Sequence, residues 1–134
     1  MKKLITFILL ISALTPQLNA QFDLKVEIRN LKSDSGKILI ELLDENQDRV
    51  LGTSGIIKDG KSTITFKNVN KGRYAVRYFH DENSNDQLDT NMLGIPKESY
   101  GMSNEPYGMF GPKDFEKWLF ILDKDTQIEI KTKR

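Results

Sequence analysis

From Phe22 onward, apolar and polar residues alternate one for one. Phe22, Leu24, Val26 and Ile28 are separated by Asp23, Lys25 and Glu27, with Arg29 following. A period of two places all four apolar side chains on one face of an extended chain, so the pattern predicts a strand with one buried side. Ser33-Asp34-Ser35-Gly36 is a turn cluster, and Lys37 to Glu45 resumes the alternation with Ile38, Ile40 and Leu42 on one face. Two such strands with a short turn between them predict an antiparallel hairpin. The run from Thr53 to Phe66 carries Asp59-Gly60 at its centre. That dipeptide accepts the positive φ values of a tight hairpin turn. Gly72 permits a further turn before Tyr74, Val76 and Tyr78, which alternate with Ala75, Arg77 and Phe79. Trp118 to Leu122 and Thr126 to Thr132 read as the last two strands, joined at Asp123-Lys124-Asp125.

Between Asp81 and Phe110 the period vanishes. Glycines 94, 101 and 108 and prolines 96 and 106 punctuate the stretch. Uninterrupted connections longer than about 15 residues are uncommon in compact domains and are usually functional or disordered. Leu93, Ile95, Tyr100, Met102, Tyr107, Met109 and Phe110 are too apolar a set for a solvated segment, so the pattern predicts an ordered loop. Residues 112 to 116 suit one helical turn. About seven short strands without a long helix predict an all-β protein, an antiparallel sandwich of two sheets.

The first twenty residues follow a different rule. Lys2 and Lys3 precede an apolar run from Leu4 to Leu14, Pro16 ends it, and Ala20 offers a small residue at a cleavage point. The order is that of a secretory signal peptide, and the run is shorter than the roughly 20 residues a membrane helix needs. Residues 1–20 are therefore expected to be a leader and residues 21–134 one β-sandwich domain. The protein recovered from cells is expected to begin at Gln21, in the periplasm or outside the cell. Losing Lys2 and Lys3 turns the net charge of +1 into −1. That balance gives no electrostatic basis for binding nucleic acid or an anionic membrane. The chain has no cysteine, so packing or a bound ion must do what disulfides do in many small exported domains.

The stretch HDENSNDQLDTN, His80 to Asn91, gathers Asp81, Glu82, Asp86 and Asp89, and no Lys or Arg occurs between Tyr78 and Pro96. Counting Asp81 as position one, Asn83, Asn85 and Asp89 fall at three, five and nine, and Gln87 at seven can offer its main-chain carbonyl. Alternate spacing turns these oxygens to the inside of a tight loop, and calcium takes six to eight hard oxygens in loops of this spacing. Asp81, Asn83, Asn85, Gln87 and Asp89 are thus the candidate Ca2+ ligands. Position six holds Asp86 where such loops have Gly, and Met92 stands where they have a bidentate Glu. The competing reading needs no ion, because Asn, Asp and Ser also favour side-chain-to-backbone turns.

His80 is the sole histidine, and there is no second His or any Cys to share a zinc ion. Ser99 and Ser103 lack the glycine context of a nucleophile elbow. Asp89 and Glu98 supply the two carboxylates a glycosidase uses, a pairing that chance also produces in a chain with 29% charged residues. Trp118, beside Phe120, reads as core.

The block YAVRYFHDENSNDQLDTNMLGIPKESYGMSN, Tyr74 to Asn104, followed by Gly111 to Phe115, resembles the exported bacterial domain-of-unknown-function family 2141. The resemblance spans nearly all of residues 21–134 and departs from the family's pattern where Asn85-Asp86 replaces Asn-Gly. It implies an Ig-like or transthyretin-like sandwich and no established activity. NVNKGRYAV likewise resembles a turn and strand of prealbumin-like and collagen-adhesin B-type modules. The sequence therefore leads to a non-catalytic exported binding or structural module. Its ligand or partner surface would draw on His80, Glu98, Tyr100, Met102, Tyr107, Met109 and Phe110. The alternative is a hydrolase using His80 and loop carboxylates.

Overall fold

A computed structural model describes residues 19–108 and 111–132. The expected leader, apart from Asn19 and Ala20, lies outside the described residues, as do Met109 and Phe110. Ten strands follow in order: β1 (Gln21–Arg29), β2 (Lys37–Asp44), β3 (Arg49–Gly55), β4 (Ser62–Asn70), β5 (Gly72–Asp81), β6 (Tyr100–Met102), β7 (Tyr107–Gly108), β8 (Gly111–Pro112), β9 (Phe120–Leu122) and β10 (Thr126–Lys131). Among the described residues one 3-10 turn is present, Phe115–Trp118, which overlaps the helical turn read from the sequence and starts three residues later. Among the described residues no helix is long and apolar enough to cross a membrane.

The strands form two main sheets. The smaller has the order β10-β1-β4. The larger has β3-β2-β5-β6, with β9 pairing on β5, and β7-β8 is a separate pair. Their inner faces meet in one core. Leu24, Val26 and Ile28 of β1, with Ile64 and Phe66 of β4, face Ile38, Ile40 and Leu42 of β2 and Val76 and Tyr78 of β5. Those of β1, β2 and β5 are the residues that the period-two pattern sets on one face.

The pairings differ from those the turns suggest. β1 and β2 do not form a hairpin, because each belongs to a different sheet. Asp59 (φ 53°) and Gly60 (φ 69°) do make the tight turn, closed by the Lys58–Lys61 bridge, yet β3 and β4 also separate into different sheets. The two crossings are tied together. Asp34 accepts the N–H groups of Asp59 and Gly60, each at 2.8 Å. β9 and β10 separate in the same way, and β10 pairs with β1 in parallel. Alternation tells which side chains turn inward. It does not say whether the next strand joins the same sheet or faces it.

Tyr78 crosses the core, its hydroxyl 2.7 Å from that of Thr132 at the end of β10. Burial pushes the phenol of Tyr78 well above its usual range, and burial followed by the Glu105 charge pushes Tyr107 up to about 12. Tyr74 is also raised, by burial and then by Asp44. In the unfolded chain all these groups ionise near about pH 10. Their contribution to stability is therefore complete below that pH and is lost as pH rises toward the folded-state values. The melting temperature is expected to fall steeply above about pH 10, with tyrosinate absorbance appearing together with unfolding. Tyrosines that all ionise near pH 10 in a protein that stays folded would contradict this account.

Candidate functional site: the acidic loop and the outer-face cleft

β5 ends in two buried polar residues, His80 and Asp81, neither exposed to solvent. His80 Nε2 lies 2.6 Å from the carbonyl oxygen of Ser35, and the backbone N–H of His80 donates to Ser99 O at 2.8 Å. Gly36 must lie against this base. A Cβ there would fall 1.9 Å from Asp81 O, and its φ of +71° already favours glycine. The Ser33–Gly36 turn thus clamps the start of the loop.

Two carboxylates then organise the loop through backbone N–H groups. Asp81 accepts those of Asn85 and Asp86, both at 3.0 Å. Glu98 accepts those of Glu82 at 2.9 Å and Asp89 at 3.0 Å. Asn83 Oδ1 accepts Asn85 N–H, and Asn85 Oδ1 accepts Gln87 N–H. Asp86 adopts φ 62°, the left-handed conformation that its place in the loop demands. Hydrogen-bonded side-chain turns of this kind are what Asx-rich segments form unaided.

Of the candidate calcium ligands, Asn83, Asn85 and Asp89 meet directly. Asn83 Nδ2 donates to Asp89 Oδ2 at 2.6 Å and Asn85 Nδ2 donates to Asp89 Oδ1 at 3.0 Å. Asp81 joins them through the backbone, and Gln87 joins through its N–H. In this arrangement the amides meet Asp89 as donors. Calcium accepts only oxygens, so an ion at this point would require both amides to turn over and release Asn85 and Gln87 N–H. Among the described residues no group of three or more His, Asp or Glu is placed to hold a metal ion.

The ligand or partner surface is redistributed. His80 and Glu98 are buried and serve as posts for the loop, because His80 Nε2 and both carboxylate oxygens of Glu98 are spent on backbone partners. Tyr107 hydrogen-bonds to Tyr100 O at 3.4 Å and borders a small hollow with Lys32 and Lys97. Tyr100 and Met102 line a larger feature, a cleft of about 680 Å³ on the outer face of the five-stranded sheet.

The register of that sheet builds the cleft floor as two rows. Ser54, Leu39, Phe79 and Tyr100 are cross-strand neighbours, and one step along lie Gly52, Glu41, Arg77 and Met102. The first row is largely apolar and the second is charged at its centre. Trp118 closes one part of the margin, and Asp86 and Leu88 of the acidic loop close another. Lys37 pairs with Asp86 at 2.6 Å, so the loop is fastened to the cleft edge. Trp118 is therefore partly exposed at a cleft rather than in the core. Its Nε1–H donates to Lys113 O, and Ser103 Oγ holds Trp118 O at 2.6 Å. Sequence reasoning missed Leu39, Glu41, Phe79, Arg77 and Arg49. The available signal was Leu39 and Phe79, large apolar residues on strand faces that alternation assigns to solvent. Leu93 and Ile95, counted from the sequence among the apolar residues that order the loop, instead stand exposed with Met92.

A family model described as "Uncharacterized protein conserved in bacteria (DUF2141)" matches residues 26–130. The chain belongs to this family. The matched DUF2141 span holds the core strands, the acidic loop and the cleft, with the FHDEN segment at the loop base. No curated protein and no solved structure matches the chain.

Proposed function

We propose that this DUF2141 chain is a non-catalytic exported binding module whose ligand site is the outer-face cleft, with the acidic loop as its rim. The cleft carries this reading. Its volume of about 680 Å³ falls within the range of small-molecule sites, and its floor has an apolar row beside a few polar groups. The leader pattern of residues 1–20 supports export. The non-catalytic reading is supported by His80, which lies fully buried at the loop base. Its Nδ1 has no hydrogen-bond partner, and neither does the hydroxyl of Ser99. The hydrolase alternative needs a base on a nucleophile at an open site.

Trp118 is the only tryptophan and sits at the cleft, so its fluorescence reports occupancy. Phenylpropanol, a neutral probe with a flat apolar body, is expected to change Trp118 emission in a saturable way. Phe79→Lys is expected to abolish that change with little loss of melting temperature. Saturable binding that survives in Phe79→Lys would place the ligand elsewhere.

On this reading the loop closes on its own hydrogen bonds, and calcium is the rival. Melting temperatures in millimolar calcium and in excess chelator are expected to agree within about 1 °C. A site with Kd of about 10⁻⁴ M at roughly 1 mM calcium would contribute about 1.4 kcal/mol, or roughly 5 °C. A fall of that size on chelation, with calcium found by elemental analysis, would make Asp81, Asn83, Asn85, Gln87 and Asp89 the ligand set instead.

A further inference from the structure

The charged row of the cleft is unbalanced. Arg77 Nε lies 2.7 Å and Nη2 2.6 Å from Glu41 Oε2, while Arg49 Nη1 lies 3.6 Å from Glu41 Oε1. Two guanidiniums therefore converge on one carboxylate. Arg49 reaches this position by folding over Gly52, where a Cβ would stand 2.2 Å from its guanidinium nitrogen. The Glu41 side chain is 28% exposed, whereas those of Arg49 and Arg77 are 62% and 56% exposed. The carboxylate lies deeper and the cations lie outward. Each guanidinium has five N–H donors, and Glu41 engages only some of them. Lys37 and Asp86 neutralise each other at the margin. Among the residues that line the cleft, one positive charge is left over, with guanidinium donors that Glu41 does not engage.

We infer that the cleft takes an organic monocarboxylate with a flat apolar body. The carboxylate meets Arg77 and Arg49, and the body lies on Leu39, Phe79 and Tyr100. Planar donors on two arginines match a carboxylate in a paired geometry. A single uncompensated positive charge suits a monoanion, whereas a dianion would leave negative charge beside Glu41. The two rows are two residues apart along each strand, so charge and body are separated by about 7 Å. That spacing is met by an aromatic ring carrying a short acid chain.

This inference rests on the cleft being the ligand site, and one experiment separates the two. Phenylpropionate and phenylpropanol are titrated, at low salt and neutral pH, into wild type, Arg77→Gln and Glu41→Gln. Trp118 fluorescence and calorimetry give the affinities, and melting curves confirm that each variant is folded. Phenylpropionate is expected to bind wild type about tenfold more tightly than phenylpropanol, as charge-assisted hydrogen bonds provide. Arg77→Gln should erase that preference, the acid falling to the affinity of the alcohol, which still binds. Glu41→Gln should increase it, because both guanidiniums lose their internal partner. Equal affinities for acid and alcohol in wild type would overturn the carboxylate assignment and leave the cleft standing. If neither compound binds, both the cleft reading and this inference fail.

Discussion

Val76→Asp is expected to leave the protein unfolded at ambient temperature. Val76 has no solvent exposure, sits on β5 between β2 and the β6 edge, and faces the core shared by both sheets. An aspartate there has no cation within the apolar core, and burying an unpaired charge costs more than a domain of this size can lose. Arg77→Asp, one residue along, provides the control. Arg77 is half exposed on the opposite face, directly across from Glu41. The substitution removes an ion pair and sets two carboxylates opposite each other, a penalty of about 1 kcal/mol. It is expected to lower the melting temperature by only about 5 °C. Circular dichroism of the two variants decides the matter. Equal losses would mean that the inward register of β5 has been misassigned.

Asp81→Ala is expected to produce the second largest effect, and a local one. Asp81 is completely buried, and its two oxygens each hold one backbone N–H of the loop. Alanine removes a charged acceptor from two donors at once, at a cost of about 3 kcal/mol. The melting temperature should fall by roughly 10–15 °C. Amide exchange should accelerate first between residues 82 and 98, while β1, β2 and β4 keep their protection. Since Asp86 and Leu88 form part of the cleft margin, the variant should also bind phenylpropanol more weakly. Asp81→Asn, which keeps one acceptor, should recover part of the stability. Unchanged exchange in the loop of Asp81→Ala would show that Glu98 and the asparagine turns suffice without it.

The order of these effects follows how each group is satisfied. Val76 depends only on its apolar surroundings, so any polar replacement is costly. Asp81 is a polar group whose burial is tolerable because both oxygens are used. His80 is different again. Nε2 has a partner in Ser35 O, yet Nδ1 has none, its nearest ionic neighbour being Glu82 at 3.9 Å.

By itself, the sequence determined the one-dimensional facts. Period-two alternation set which residues of β1, β2 and β5 share a face, since successive side chains on a strand point to opposite faces. Asp59-Gly60 marked a tight turn because few other dipeptides accept two positive φ values. The crowding of Asp and Asn after His80 marked a loop closed by its own side chains or by an ion. Tertiary structure decided everything that depends on which segments become neighbours. It sent β2 away from β1, laid β10 parallel to β1, and buried His80 and Glu98. It placed Arg77 opposite Glu41 and Phe79 opposite Leu39, so that residues from four strands formed one cleft. The physical reason is that alternation constrains each strand against an undefined interior. Strand partners are selected by the packing of two whole sheets, a choice made by contacts between residues far apart in the chain.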